Sequence, residues 1–148
     1  MPQTEMVIAK CNVVGAAEDP NYRQSVRCGR HEMLVDERPA RGGADAGPMP
    51  FEYLLAGLGA CTSITLRMYA ERKRWNIGAV AVSLALSQGK EGTRSIERRV
   101  TLAAALSAEQ QEKLSEVCEK TPVTLAVKSG LGIRTTLTAE GSAPPTLR

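Results

Sequence analysis

The chain has 148 residues, with 19 basic and 16 acidic side chains and a net charge of +3. This length allows one domain with a real hydrophobic core. The small charge excess and the 3% aromatic content argue against a nucleic-acid-binding protein, which would need a basic surface or aromatic platforms for stacked bases.

The first third of the chain is predicted to form three strands and a loop. Alternating apolar side chains predict a strand over residues 6–14 and two more over 22–28 and 30–36, the last two separated by Gly29. Residues 38–50 contain three glycines and three prolines, which predict a loop. A loop of this length in a small domain is often functional.

A long helix is predicted next, over residues 50–74. Between Phe51 and Leu66 it carries one charge, Glu52, and its apolar side chains cover more than one face. Such a helix is normally buried on more than one face. Because it is too short and too basic at its end to span a membrane, we expect a core helix with Cys61 at its middle and no membrane partner.

Two strands follow, over residues 79–87 and 94–104. Arg98 falls in the inward phase of the second strand, and a buried cation needs a partner. An inward Arg98 would therefore indicate function, whereas a bulge or an edge position would make it an ordinary surface residue.

The last part of the chain is predicted to contain two helices and a strand. The Ser107–Gln110 spacing is typical of a capping box, which opens a helix ending near Lys120. Thr121 and Pro122 begin a short helix through Lys128, residues 133–139 form the last strand, and residues 141–148 are a polar tail. Strands grouped apart from helices predict a single α+β domain over residues 1–148.

The cysteines are dispersed and the chain has a single histidine, His31. Without closely spaced ligands a zinc site is not expected, and we expect no cofactor or metal. The N-terminus has no signal-peptide pattern, so we expect a cytoplasmic protein with thiols reduced at rest. On this view Cys11 and Cys28 are thiols in the core of the strands.

Cys61 and Cys118 each allow two interpretations. A cysteine among leucines is by default a small buried apolar residue, and a reactive one needs a nearby cation to hold its thiolate. The long helix offers Cys61 no cation before Arg67, so a cation would come from a second subunit or from another segment: Arg23, Arg27, Arg30 or Arg98. Cys118, in a final helical turn, is open to packing or catalysis.

Taken together, five segments resemble the OsmC/Ohr family, in its OsmC-like branch. They are HEMLVDE from His31, GGADAGP from Gly42, PFEYLLA from Pro50, LGACT from Leu58 and KTPVT from Lys120. The likeness follows nearly the whole chain in order, and its most specific part is the helix that contains Cys61.

The resemblance implies an α+β fold in which two chains interlace into an obligate homodimer. It also implies a thiol peroxidase that protects against oxidative or osmotic stress by reducing organic hydroperoxides. Cys61 would be the peroxidatic thiolate and Cys118 a displaced resolving thiol, with Glu52 and an arginine, Arg23 or Arg27, as further site candidates. The reductant would be a dithiol such as a lipoylated protein.

Two positions depart from the family pattern. The family's resolving cysteine corresponds to Thr121, and its glutamate directly after the proline corresponds to Phe51. Glu52, nine positions before Cys61, falls on the opposite side of the helix at about 100° per residue. These departures would weaken peroxidase activity, and they leave a second interpretation: a non-enzymatic dimer that binds a small apolar or acyl ligand, with Cys61 lining the pocket.

Overall fold

The structure is a computed structural model that describes residues 5–139 and 141. It confirms a mixed α+β fold with antiparallel sheets and one long helix. The elements are β1 Asn12–Val14, β2 Gln24–Cys28, β3 His31–Val35, a 3-10 helix Pro39–Arg41, α1 Pro50–Lys73, β4 Val80–Gln88, β5 Arg94–Leu102, α2 Ala108–Cys118 and α3 Pro122–Ser129.

The chain divides into two compact units. Unit 1 runs up to Glu52 and includes the segment from Thr136 onward, and unit 2 is Tyr53–Thr135. A single domain over the whole chain stays a prediction. The predicted tail over 142–148 and the residue at 140 lie outside the described residues.

Unit 1 contains a three-stranded antiparallel sheet in the order β1-β2-β3. Cys28 pairs with His31 across a two-residue turn in which Gly29 has a φ of +61°. Glycine at the first position of such a turn matches the twist of the two strands. The two strands predicted around Gly29 are confirmed with shorter bounds.

The first predicted strand, over 6–14, is wrong for most of its length. Only Asn12–Val14 pairs with β2, and the apolar side chains of Met6, Val7 and Ile8 are largely exposed. Alternation shows that a segment can form a strand, but the strand forms only where a neighbouring strand supplies hydrogen bonds. For residues 6–11 the described part of the chain supplies no such neighbour.

Cys11 and Cys28 form a disulfide in the structure, so their assignment as free core thiols is wrong. The pairing of Asn12 with Arg27 places the two cysteines directly opposite each other, with their Cα atoms 4.4 Å apart. Cys11 is exposed. Cysteines seventeen positions apart give no sign of this in the sequence, because strand register sets the contact.

Loss of the Cys11–Cys28 disulfide is expected to lower the free energy of unfolding by about 2–4 kcal/mol, because the link restricts the unfolded chain over a loop of this length. Urea unfolding of the wild type, with and without a phosphine reductant, measures the difference. The Cys11→Ser/Cys28→Ser double variant should match the reduced protein and not respond to reductant. Two free thiols in protein purified without reductant would contradict the assignment.

Asp36 orders the predicted loop. Its carboxylate is buried and accepts hydrogen bonds from the N–H groups of Glu37, Ala44 and Ala46. The close packing leaves room only for glycine at position 43, where a Cβ would lie 1.9 Å from the Glu37 carbonyl oxygen. The loop is therefore a specific structure that contains one 3-10 turn, and the carboxylate of Asp36 is its centre.

Acidification is expected to destabilise the loop through Asp36. The hydrogen bond from the Ala46 N–H has the largest effect and that from the Glu37 N–H the next largest. Together they hold the pKa of Asp36 below its usual 3.8, although burial acts in the opposite direction. The ionised form thus adds stability above about pH 3.8, which is lost as pH falls through the lower folded pKa. Acid unfolding followed by circular dichroism should show less pH dependence below pH 4 in Asp36→Asn than in the wild type; equal dependence would contradict this role.

Unit 2 is built from α1 from Tyr53 onward, the β4–β5 hairpin, α2 and α3. The nine-residue strands pair along their full length, from Val80 with Leu102 to Gln88 with Arg94. A Cβ at Gly59 would meet Leu84 at 2.8 Å, so this glycine lets α1 approach β4 closely. The hydrophobic core cluster comprises Leu66, Ala70, Ile77, Leu114 and Cys118.

Both predicted helix starts after the hairpin are confirmed. The Ser107 hydroxyl accepts from the Gln110 N–H at 3.1 Å and the Gln110 side chain accepts from the Ser107 N–H at 3.0 Å, which is a reciprocal capping box. Thr121 caps α3, and Pro122 occupies its first turn, where proline needs no hydrogen-bond donor.

The predicted strand over 133–139 is not formed in the described residues. Leu131, Ile133 and Leu137 are instead largely exposed. The end of α3 at Ser129, followed by Gly130, lies within one residue of the predicted end at Lys128. As for residues 6–11, the residues that the structure describes include no neighbouring strand that forms backbone hydrogen bonds with residues 133–139.

Candidate active site

Cys61 is part-buried in the middle of α1, in unit 2. Its sulfur lies 4.0 Å from the Thr65 hydroxyl. Leu54 and Met68, seven positions to either side, lie within about 20° of it around the helix, and both are exposed, as is Ile64. Cys61 therefore borders an exposed apolar surface, the α1 stripe, formed by Leu54, Ile64 and Met68.

Arg98 points inward from β5, as one of the two sequence interpretations required. Its side chain is only 12% exposed. Nη1 donates to the hydroxyls of Thr62 at 3.0 Å and Thr124 at 2.8 Å, and Nη2 donates to the Cys118 carbonyl oxygen at 2.9 Å. One guanidinium thus joins α1, beside Cys61, to the end of α2 and the start of α3.

The hydroxyls around Arg98 are themselves fully bonded. Thr62 donates to the Leu58 carbonyl oxygen at 2.8 Å, and the hydroxyls of Thr121 and Thr124 are 2.6 Å apart. All three threonines are buried. The cluster satisfies the rule that buried polar groups are hydrogen-bonded, and it places Thr121, the position of the family's resolving cysteine in the resemblance, inside a closed network.

Cys118 lies in the hydrophobic core cluster with Leu66, Ala70 and Leu114. Burial raises the pKa of its thiol, and the nearby Arg98 charge offsets this only in part. Since the thiolate is the nucleophile, this environment keeps Cys118 in its less reactive form.

Glu119 completes the polar region on its outer side. Its carboxylate binds Lys128 and lies 3.5 Å from Nη2 of Arg98. The Lys128 hydrogen bond is the largest cause of its lowered pKa, with the Arg98 charge contributing less. The carboxylate therefore partly neutralises the buried guanidinium.

The other predicted site residues belong to unit 1. Glu52 accepts from the Met49 N–H at 2.9 Å and pairs with Arg38, and the Met49 bond is the largest cause of its lowered pKa. Arg27 pairs with Glu32 at 2.6 Å on the neighbouring strand.

Arg23 differs from Arg27 in having an unused donor. Its Nε atom is buried and has no hydrogen-bond partner among the described residues, while its charge acts on Asp36. The sequence analysis did not identify Arg38 as the partner of Glu52. The signal that could have pointed to Arg38 was its position at the start of the proline- and glycine-rich loop. The catalytic roles that the family resemblance suggested for Arg23, Arg27 and Glu52 stay predictions.

Comparison with known proteins identifies the family. The sequence profile described as OsmC-like protein matches residues 42–136, which is more than half of the chain. The chain belongs to the OsmC-like family. The resemblance found in the sequence motifs is thereby confirmed. No curated protein matches this OsmC-like protein by sequence.

Solved structures of the OsmC/Ohr type share its fold. An OsmC-like protein from Mycoplasma pneumoniae is 16% identical, with a TM-score of 0.63 over 86% of this chain and 89% of that one. An organic hydroperoxide resistance protein OsmC from Legionella pneumophila is 14% identical, with a TM-score of 0.63 over 84% and 92%. An organic hydroperoxide resistance protein from Elizabethkingia anophelis, solved with thiocyanate, is 18% identical, with a TM-score of 0.57 over 85% and 91%.

At these identities the likeness establishes the fold and leaves the activity open. None of the helices in the described part of this OsmC-like protein is long and apolar enough to cross a membrane.

Proposed function

We propose that this OsmC-like protein reduces organic hydroperoxides through the thiolate of Cys61. The observation that carries the proposal is the position of Cys61, part-exposed on the long helix of the family fold beside the α1 stripe. Relatives of the same fold from Legionella pneumophila and Elizabethkingia anophelis are named organic hydroperoxide resistance proteins. Protection against oxidative or osmotic stress is the proposed role, and the cytoplasm the proposed location.

The first chemical step consumes one peroxide. The Cys61 thiolate attacks the distal oxygen of the hydroperoxide, the S–O bond forms as the O–O bond breaks, and the alkoxide takes a proton to leave as an alcohol. The cysteine is left as a sulfenic acid.

The proposed thiolate requires a positive charge. Of the two arginines that the family resemblance suggested, Arg27 is engaged by Glu32, whereas Arg23 retains a buried Nε without a partner in the described chain. Between these two candidates we therefore favour Arg23 as the counter-charge.

We also propose a homodimer. Large apolar side chains are exposed on the α1 stripe and on the segments around Val7 and Ile133, and exposed apolar patches often mark interaction sites. Ile64→Asp would place a charge in the α1 stripe and should convert the dimer to a monomer in analytical ultracentrifugation. Lys90→Asp, in the β4–β5 turn, is the charge-changing control. A monomeric wild type would refute the dimer.

Chemical trapping tests the peroxidase. The protein is treated with cumene hydroperoxide and dimedone, and intact mass and peptide mapping locate the adduct. We expect a dimedone adduct on Cys61 in the wild type and none in Cys61→Ser. Absence of the adduct, together with peroxide consumption equal to that of Cys61→Ser, would refute the proposal.

A cleft in unit 2 favours a second candidate, the binding of a small apolar or acyl ligand. The cleft has a volume of about 520 Å³ and is lined by apolar side chains, among them Leu66, Leu102, Leu106 and Leu114, and by the polar side chains of Thr101, Gln111 and Ser115. Native mass spectrometry of the purified protein tests it. A co-purified ligand that Leu106→Arg removes, with no sulfenic acid at Cys61, would favour binding over catalysis.

A further inference from the structure

The two free cysteines of unit 2 are associated with different sides of α1: Cys61 is part of this helix, and Cys118 of α2 shares a core cluster with other residues of it. Cys118 clusters with Leu66 and Ala70, which lie five and nine positions after Cys61 and hence about 140° and 180° away around the helix. Cys61 instead shares its side of α1 with Leu54 and Met68. The Cys61 side chain therefore leaves α1 on a different side from the residues that form the core with Cys118.

This arrangement does not suit a disulfide within one subunit. A disulfide requires Cα atoms within about 7 Å and Cβ vectors that point toward each other. Here the α1 residues that share a core cluster with Cys118 are turned about 140–180° away from Cys61 around the helix. Forming the bond would mean withdrawing Cys118 from the core and breaking the hydrogen bond from Arg98 to its carbonyl oxygen.

Thr121, at the position where the family pattern has its second cysteine, cannot supply a resolving thiol either. Thr121 is fully buried, caps α3 and shares a hydrogen bond with Thr124. Its hydroxyl has no redox chemistry, and the Arg98 network fixes the residues around it. The part-exposed Cys61, by contrast, must be open to the hydroperoxide for the proposed reaction, and the same opening would admit a thiol.

We propose that the sulfenic acid of Cys61 is resolved by an external thiol that reacts with it directly, so that the protein works as a one-cysteine peroxidase without Cys118. This inference rests on the proposed function and assigns the class of its reducing substrate. A dithiol is the best reductant, because its second sulfur lies close enough to finish the reaction.

The steps balance as follows. The external thiol sulfur attacks the Cys61 sulfur, an S–S bond forms, and the sulfenic oxygen leaves as water with the thiol proton. A second thiol, or the second sulfur of a dithiol, then attacks the mixed disulfide on the external sulfur. Cys61 is released reduced, and the two electrons come from the thiols, which end as a disulfide.

Disulfide mapping of the full chain tests the inference. Wild type and Cys118→Ala are treated with cumene hydroperoxide, alone or with 2-mercaptoethanol, and digested without reduction. In the arm without thiol, the Cys11–Cys28 peptide is the positive control for mapping. We expect Cys61 as sulfenic acid without thiol and as the mixed disulfide with it, and peroxide turnover in Cys118→Ala within about twofold of the wild type.

A Cys61–Cys118 disulfide in the wild type, within one chain or as a covalent dimer, would overturn the inference but leave the peroxidase function intact. Loss of turnover in Cys118→Ala with sulfenic acid still formed would have the same meaning, provided that circular dichroism shows the variant folded. Absence of any oxidation at Cys61 would instead refute the function, and the inference with it.

Discussion

Replacing Cys61 by serine is expected to abolish thiol-dependent reduction of cumene hydroperoxide. The fall in kcat/KM should be roughly 10³-fold or more, because serine cannot form a comparable nucleophile or a sulfenic acid. The substitution exchanges one sulfur for oxygen at a part-exposed position, so the fold should be unaffected. Peroxide consumption with a dithiol, followed by loss of substrate, measures the effect.

The control is the Cys11→Ser/Cys28→Ser double variant, which removes two other sulfurs and should keep most of the activity. If Cys61→Ser and wild type consume peroxide equally fast, Cys61 is not the nucleophile. If the double variant loses as much activity as Cys61→Ser, the redox chemistry belongs to the disulfide of unit 1.

Replacing Arg98 by methionine is expected to lower the free energy of unfolding by about 2–4 kcal/mol. The change leaves the buried carbonyl oxygen of Cys118 without its donor and removes the charged donor from the hydroxyls of Thr62 and Thr124. Leaving buried groups unsatisfied has a larger effect than losing the bond alone. Urea unfolding followed by the fluorescence of Trp75, which packs on the same core, measures the difference.

Arg99 offers a matched control one position away. Its side chain is 79% exposed and forms a 3.8 Å ion pair with Glu97, which is also exposed, so Arg99→Met should change the stability by about 0.5 kcal/mol or less. Arg98→Lys should lie between the two, because one ammonium cannot reproduce the planar fork that binds several elements. Equal stability of Arg98→Met and Arg99→Met would contradict the role of the network.

The elements that the sequence predicted well are those specified locally. The capping box at Ser107, the cap at Thr121 and the turn at Gly29 each depend on residues within a few positions. The long apolar run fixed α1 within one residue. In each case the physical cause is contained in the segment itself.

What the sequence could not predict depends on partners that are distant along the chain. Residues 6–11 and 133–139 have strand-like composition, yet whether they form ladders depends on a neighbour that no local pattern specifies. The Cys11–Cys28 disulfide follows from strand register, which a shift of one position would have abolished.

The candidate site divides in the same way. Its central residue, Cys61, was identified from the helix and the family motif. The pairing of Glu52 with Arg38 and the contacts of Arg98 with three elements required the fold. The side of α1 near which Cys118 packs was also known only from the structure. The helical period of a sequence shows which residues share a face, but it does not show which element packs against that face.

The position of Arg98 on the hairpin has a consequence for the order of folding. The β4–β5 hairpin closes a connection of only five residues, and hairpins of this kind form in about 1–10 μs. The acceptors of Arg98 lie 20, 26 and 36 positions away in the chain, so they assemble by slower, long-range closure. The guanidinium should thus remain hydrated in the early hairpin and lose its water only when α1 and the α2–α3 junction dock on it.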